Sequence, residues 1–121
     1  MNQVEGNGPI ESFRWGSYRI TGRDFGKDVR VVGPVATKWK EREGHCLRPE
    51  MITGIDGAEI DILLIGIGAE GRLECPDSVR DAVRSLGIDE LRLLRTPEAC
   101  REYNRLYLSG RRVAMLAHGT C

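Results

Sequence analysis

The sequence predicts an α/β domain, on three observations. Residues 60–67 are a nearly continuous apolar run bounded by glycine, which reads as a strand buried on both faces. Two segments with helical spacing follow, each leading into another short apolar run, so the second half reads β-α-β-α-β. Right-handed crossovers make those three strands parallel. Before about Glu59 the pattern differs: short alternating runs are broken by glycine and proline. Those N-terminal strands either extend the parallel sheet or form a second layer.

In chain order, residues 1–16 hold acids, glycines and one proline and read as a loose N-terminal arm. Residues 17–121 read as a single domain. Tyr18-Arg19-Ile20-Thr21, Val29-Arg30-Val31-Val32 and Val35-Ala36-Thr37-Lys38-Trp39 alternate at period two, as strands with one wet face do. Gly33-Pro34 marks the turn between the last two, and Gly44-His45 lies near another. Trp39 is a core aromatic, the floor of a pocket, or part of an interface. From Pro76 to Leu86, residues Val79, Ala82, Val83 and Leu86 share a helix face, with Gly87 as the stop. Leu91–Leu94 is the second strand. Thr96-Pro97-Glu98 starts the second helix: Thr96 caps, Pro97 fits the first turn, and Glu98 suits the positive dipole end. Ala99, Cys100, Tyr103, Leu106 and Tyr107 form its buried face, Asn104 faces solvent or caps a loop, and Gly110 ends it. Val113–Ala117 is the third strand.

Composition narrows the function classes. The chain has 121 residues, one domain's worth, with 18 Lys+Arg against 18 Asp+Glu. That zero balance argues against a general nucleic-acid binder and against a polybasic membrane anchor. The longest apolar run is too short to span a bilayer. The first residues carry neither a secretory signal nor an Arg-rich presequence, so the expected compartment is the cytoplasm. Only Lys27, Lys38 and Lys40 are lysines, a preference for arginine that reads as coding bias. Acid–arginine pairs on the helices (Asp77 with Arg80, Asp81 with Arg84, Glu98 with Arg101) read as solvated faces.

Ligands in open parallel sheets collect beyond the carboxyl ends of the strands. Three strands end here at Gly66-Ile67-Gly68, at Arg95-Thr96 and at His118. The candidate ligand-binding set is therefore Gly66, Gly68, Arg95, Thr96 and His118. Glycines allow close approach, a helix N-terminus favours anions, Arg95 offers a bidentate partner, and His118 exchanges a proton near neutral pH. The bland alternatives are a simple turn, a surface pair of Arg95 with Asp89, Glu90 or Glu98, and a strand-capping histidine. Gly66-Ile67-Gly68-Ala69-Glu70-Gly71 matches G-x-G-x-x-G, but residues 72–75 separate it from the helix, and the acid expected after the second strand is replaced by Arg95. No cofactor is expected.

Four cysteines, Cys46, Cys75, Cys100 and Cys121, lack metal-ligand or redox-pair spacing and read as reduced thiols. Cys75, just before a helix, and Cys121, three residues after His118, are the candidate reactive thiols. Cys100 reads as core. His45-Cys46 is a second His–Cys pair that joins a metal site only if His118 comes near; no metal set is written at fixed spacing. No catalytic motif is present.

Trp39, Gly44-His45, the strand ending Gly66-Ile67-Gly68, Thr96-Pro97-Glu98-Ala99 with Tyr103-Asn104, Gly110-Arg111-Arg112-Val113-Ala114 and the closing His118-Gly119-Thr120-Cys121, taken in order, resemble the Mth-type domain family. The resemblance covers about Ser17 to Cys121. It implies a three-layer α/β domain with a mixed central sheet. It implies little chemistry. The family includes the adipogenesis-associated Mth-domain protein and a mitochondrial complex I assembly factor, so a binding role follows by analogy. The first expectation is a non-catalytic protein-binding or assembly-type module with an unknown protein partner. The alternative is a binding protein or enzyme for an anionic small molecule at the strand-end edge. A homodimer through the N-terminal strands is the oligomer considered.

Overall fold

The apolar run of residues 60–67 forms the middle of a sheet, and its alternation decides the layering. In the computed structural model, which describes residues 3–121, the strand β7 (Ile62–Ile67) lies between β8 (Glu90–Leu94) and β9 (Val113–His118), parallel to both. Ile62 and Leu64 point to one face, Leu63 and Ile65 to the other, and all four are fully buried. β9 repeats the scheme with Val113, Met115 and Ala117 against Ala114 and Leu116. A strand buried on both faces has no use for polar side chains, which is why these segments read as continuous hydrophobic runs.

The helices supply the crossovers. α1 (Asp77–Ser85) buries Val79 and Val83, and α2 (Thr96–Leu108) buries Ala99, Cys100, Tyr103 and Leu106 on opposite faces of the sheet. β5 (Asp28–Val32) joins β9 antiparallel, and β6 (Val35–Lys38) follows it through the Gly33-Pro34 turn. The resulting order is β6-β5-β9-β7-β8, a mixed sheet. The expected α/β class with a mixed central sheet and N-terminal strands is what the structure has.

The N-terminal strands do both things considered for them. β5 and β6 extend the central sheet, while β1 (Val4–Glu5), β2 (Ile10–Arg14), β3 (Ser17–Ile20) and β4 (Arg23–Gly26) make a separate antiparallel sheet over α2. Residues 4–14 are thus not a loose arm. Val4, Ile10 and Phe13 are buried against α2 and the central sheet. Their spacing hides them, because glycines and acids separate the apolar positions. Asn104 replaces a strand neighbour where β2 bulges: its Oδ1 accepts from the Ile10 amide at 3.0 Å and its Nδ2 donates to the Ile10 carbonyl at 2.8 Å. This is the loop-holding reading of Asn104; the residue does not face solvent.

On the other face, the connection from β6 to β7 packs Trp39, Leu47, Met51 and Ile55 beside α1. Trp39 is core: its indole Nε1 donates to the Met51 carbonyl at 2.8 Å. Of the expected helix pairs, Asp81 with Arg84 is present at 3.4 Å. Glu102 meanwhile holds Arg92 from β8 and Arg105 from its own helix.

Candidate functional site

The strand-end edge comes together as topology predicts, and then closes on itself. Thr96 lies inside the first turn of α2 and does not cap it; Arg95 occupies the cap position and makes no side-chain cap bond. The Thr96 hydroxyl accepts from the Gly68 amide at 3.0 Å and donates to the His118 carbonyl at 2.6 Å. It joins the ends of β7 and β9, and Gly66 makes room for it, since a Cβ there would lie 2.9 Å from Thr96 Oγ1. Gly68, at φ +104°, has the carbonyl carbon of Cys121 where its Cβ would be. The Ala69 amide donates to the Thr120 carbonyl at 2.6 Å and the Arg72 amide to the Cys121 carbonyl at 3.0 Å. The amides that a phosphate would use in a glycine loop are bonded to the chain itself.

Arg95 forms none of the suggested surface pairs. Its Nε and one terminal nitrogen both donate to the Ala69 carbonyl, at 3.2 and 2.7 Å, which lays the guanidinium over the loop. Burial pushes the Cys75 thiol above the ordinary value, and the nearby Arg80 charge only partly offsets this, a direction opposite to the lowering expected beside a helix start. Burial also drives the core thiol of Cys100 up to about 12. Cys121 packs by its backbone against Gly68.

His118 is the member of the expected set whose side chain leads elsewhere. Its carbonyl belongs to the strand-end edge, but its imidazole points back along the face that carries Trp39. There Nδ1 meets Asp28 Oδ1 at 2.7 Å, Nε2 meets Thr120 Oγ1 at 3.2 Å, and the ring is nearly inaccessible. The second Asp28 oxygen accepts from Arg42 Nε at 2.9 Å. Burial works to raise the Asp28 pKa, but the hydrogen bonds from His118 and Arg42, with the Arg42 charge, outweigh it and hold the carboxyl below its ordinary range. His118 does approach His45, with ring centroids 6.2 Å apart. Among the described residues no group of three or more His, Cys, Asp or Glu side chains is placed to hold a metal ion.

Asp28 also lines a cavity of about 530 Å³ with Gly26, Lys27, Lys38, Trp39 and Lys40. All the lysines of the chain are here. Lys38 ends β6 and Lys40 lies two residues on, the two flanking the buried Trp39 in the chain, and Lys27 sits at the β4–β5 corner. Every ion pair among the described residues is made by an arginine or by His118, and none by a lysine. Both oxygens of the one lining carboxylate are occupied. The cavity is therefore cationic on a chain whose net charge is zero.

Lys27 has a second distinction. Its φ is +54°, in the left-handed region where a non-glycine residue is disfavoured. The corner holds it there. Its amide donates to the Gly16 carbonyl at 2.9 Å, its carbonyl accepts from the Tyr18 hydroxyl at 3.2 Å, and Gly119 packs against that carbonyl so closely that a Cβ would collide. Neither the lysines nor Asp28 and Arg42 stand out in a motif search. The available signal is the clustering of all three lysines within residues 27–40, around a tryptophan in an alternating run.

No helix of the described residues is long and apolar enough to cross a membrane. Solved structures share this fold. The conserved hypothetical protein PH1505 from Pyrococcus horikoshii OT3 is 24% identical, with 93% of this chain and 98% of that one covered at a TM-score of 0.81. A structure described as an outer membrane protein from Bartonella henselae is also 24% identical, covering 96% and 98% at 0.80. A Bordetella pertussis protein described as a Mth938-like domain is 18% identical, covering 96% and 91% at 0.60. At these identities they speak for the fold, which is that of a Mth-type domain. The family model described as a protein of unknown function (DUF498/DUF598) matches residues 10–118, from the first residue of β2 to the last of β9, and the chain belongs to that family.

Proposed function

We propose that this chain binds a small anion, a carboxylate or phosphate compound, in the cavity lined by Lys27, Lys38 and Lys40. One observation carries the reading: the three lysines line one cavity and have no carboxylate partner among the described residues, while Arg30 and Arg42 are engaged. Ammonium groups around a concave site recognise anions as point charges. This is the anionic-ligand alternative of the sequence, moved from the strand-end edge to the neighbouring corner. Titration calorimetry at low salt with inorganic phosphate, pyrophosphate and citrate tests it. Binding of at least one of these is expected, weakening as salt is added. Each single alanine substitution of a lysine reduces affinity about two- to fivefold, as exposed ion pairs do. R95A leaves binding unchanged. No binding of any of the three anions, or binding that survives K27A/K38A/K40A, overturns the reading.

The protein-binding or assembly-type role keeps one observation of its own. β6 is an edge of the central sheet and exposes Val35 at 62%. An open edge strand with an exposed apolar residue can take up a further strand from a partner. Affinity capture with the parent and V35K tests this second reading: a reproducible partner lost on V35K supports it, and none removes it.

A further inference from the structure

The histidine beside the lysine cavity is bonded at both ring nitrogens, and the two partners differ in kind. Asp28 Oδ1 lies 2.7 Å from Nδ1, and the Thr120 hydroxyl lies 3.2 Å from Nε2. With Asp28 ionised, Nδ1 carries the ring proton and Nε2 accepts from the threonine. Carboxylate, imidazole and hydroxyl in that order, each within hydrogen-bond reach of the next, is the arrangement that activates an alcohol as a nucleophile. It is invisible in the sequence because the acid lies 90 residues before the histidine and the hydroxyl belongs to threonine.

We propose that Thr120 is a nucleophile for acyl transfer from an activated ester, with His118 as its base and Asp28 as the residue that orients the base. The hydroxyl's backbone is fixed before any substrate arrives. The Thr120 carbonyl accepts from Ala69, and the preceding Gly119 carbonyl accepts from the Gly16 amide at 2.7 Å. Asp28 is held ionised by Arg42, so it can stabilise the imidazolium that forms. Thr120 itself is half-buried, unlike the enclosed His118. In the first step Thr120 Oγ1 bonds to the ester carbonyl carbon, its proton passes to His118 Nε2, and the carbon–oxygen bond to the leaving alcohol breaks as that proton is delivered to the alkoxide. In the second step water attacks the threonyl ester, His118 takes one of the water's protons and returns it to Thr120 Oγ1, and the carboxylic acid that leaves gives its remaining proton to solvent and becomes a carboxylate. A carboxylate is also the class of anion assigned to the neighbouring cavity, but the nucleophile stands on its own geometry and does not rest on that reading.

Diisopropyl fluorophosphate is the probe, because it is uncharged and does not need the lysines. Thr120 Oγ1 bonds to phosphorus, the phosphorus–fluorine bond breaks, fluoride leaves, and His118 Nε2 takes the proton. Intact mass and peptide mapping should find one adduct, on Thr120, formed about 100-fold faster in the folded chain than in urea, the lower range for general-base assistance. T120S keeps the label, T120V loses it, and D28N changes the pH profile of labelling. No adduct, an adduct that survives T120V, or a rate equal to that in urea overturns the inference. Binding of any of the three anions without labelling breaks only this inference, and labelling without binding of any of them breaks only the cavity reading.

Discussion

Two corners at the carboxyl end of the central sheet, joined through His118, have opposite characters. At the glycine corner, Gly68 and Thr96 meet the chain's own residues 118–121 while Gly66 packs on Thr96 and Ala117, and each polar group named there has a partner in the chain. At the lysine corner, arginine and histidine are satisfied around Asp28 while three ammonium groups are left free of carboxylates among the described residues. The difference teaches where a topological rule stops. Strand ends create a crevice, but a crevice binds a ligand only if the chain leaves its donors unused. Here the last residues fill the first crevice, and the neighbouring cationic cavity has its donors to spare.

The largest expected effect tests whether the glycine corner is structural. Gly68→Ala places a methyl group into the Cys121 carbonyl carbon and forces a non-glycine residue to φ +104°. Backbone strain and overpacking together should cost about 3 kcal/mol or more. Urea unfolding checks this; a loss below about 1 kcal/mol means the corner gives way easily and is free to open for a ligand. Thr96→Val is next. It keeps the volume but leaves the Gly68 amide and the His118 carbonyl without their buried partner, a loss of about 2 kcal/mol. Neither substitution should alter pyrophosphate affinity in the folded fraction.

What the sequence reveals follows the strength of its periodic signals. Residues 62–67 and 113–118 are buried on both faces and announce themselves as apolar runs. α2 is read correctly because its apolar face repeats over three turns and Pro97 marks its start. β2 escapes such a reading because Ile10 and Phe13 are out of simple alternation, with a bulge between Ile10 and Ser12 and an asparagine 94 residues away completing the ladder. The site divides in the same way. Gly66, Gly68, Thr96 and His118 do come together, since topology alone brings strand ends to one edge. Asp28 is joined to His118, and Arg42 to Asp28, only by tertiary contact that no spacing records, while Thr120 lies two residues after His118 and needs the fold only to turn its hydroxyl to the ring.

Asp28→Asn sharpens the comparison from the lysine side. It removes the charge that holds Arg42 and His118, and should cost about 2 kcal/mol at neutral pH, as hydrogen bonds to charged groups do. The pH dependence has a definite sign. The folded-state pKa of Asp28 lies below its ordinary value of 3.8, so its contribution to stability is present above that value and is lost as pH falls through the depressed one. The parent should therefore lose stability in that acidic window, and D28N should lose less there. Melting temperatures of both across the acidic range, from about pH 2 to about pH 6, check it; parallel curves mean that Asp28 is not held by its two partners.

The smallest effect on stability is the most discriminating for function. Lys27 occupies a left-handed conformation that glycine adopts without strain, which costs the fold on the order of 1 kcal/mol. Glycine also gains backbone freedom in the unfolded chain, so the two contributions nearly offset one another. Lys27→Gly should then melt within a few degrees of the parent, or slightly above it, while pyrophosphate affinity falls by the same two- to fivefold as in K27A. If the corner exists for the fold, a residue chosen for its side chain has no place at that φ. If it exists to present an ammonium group, the strain is explained by what the side chain does. A K27G variant that is more stable and binds pyrophosphate as tightly as the parent would show that Lys27 contributes to neither.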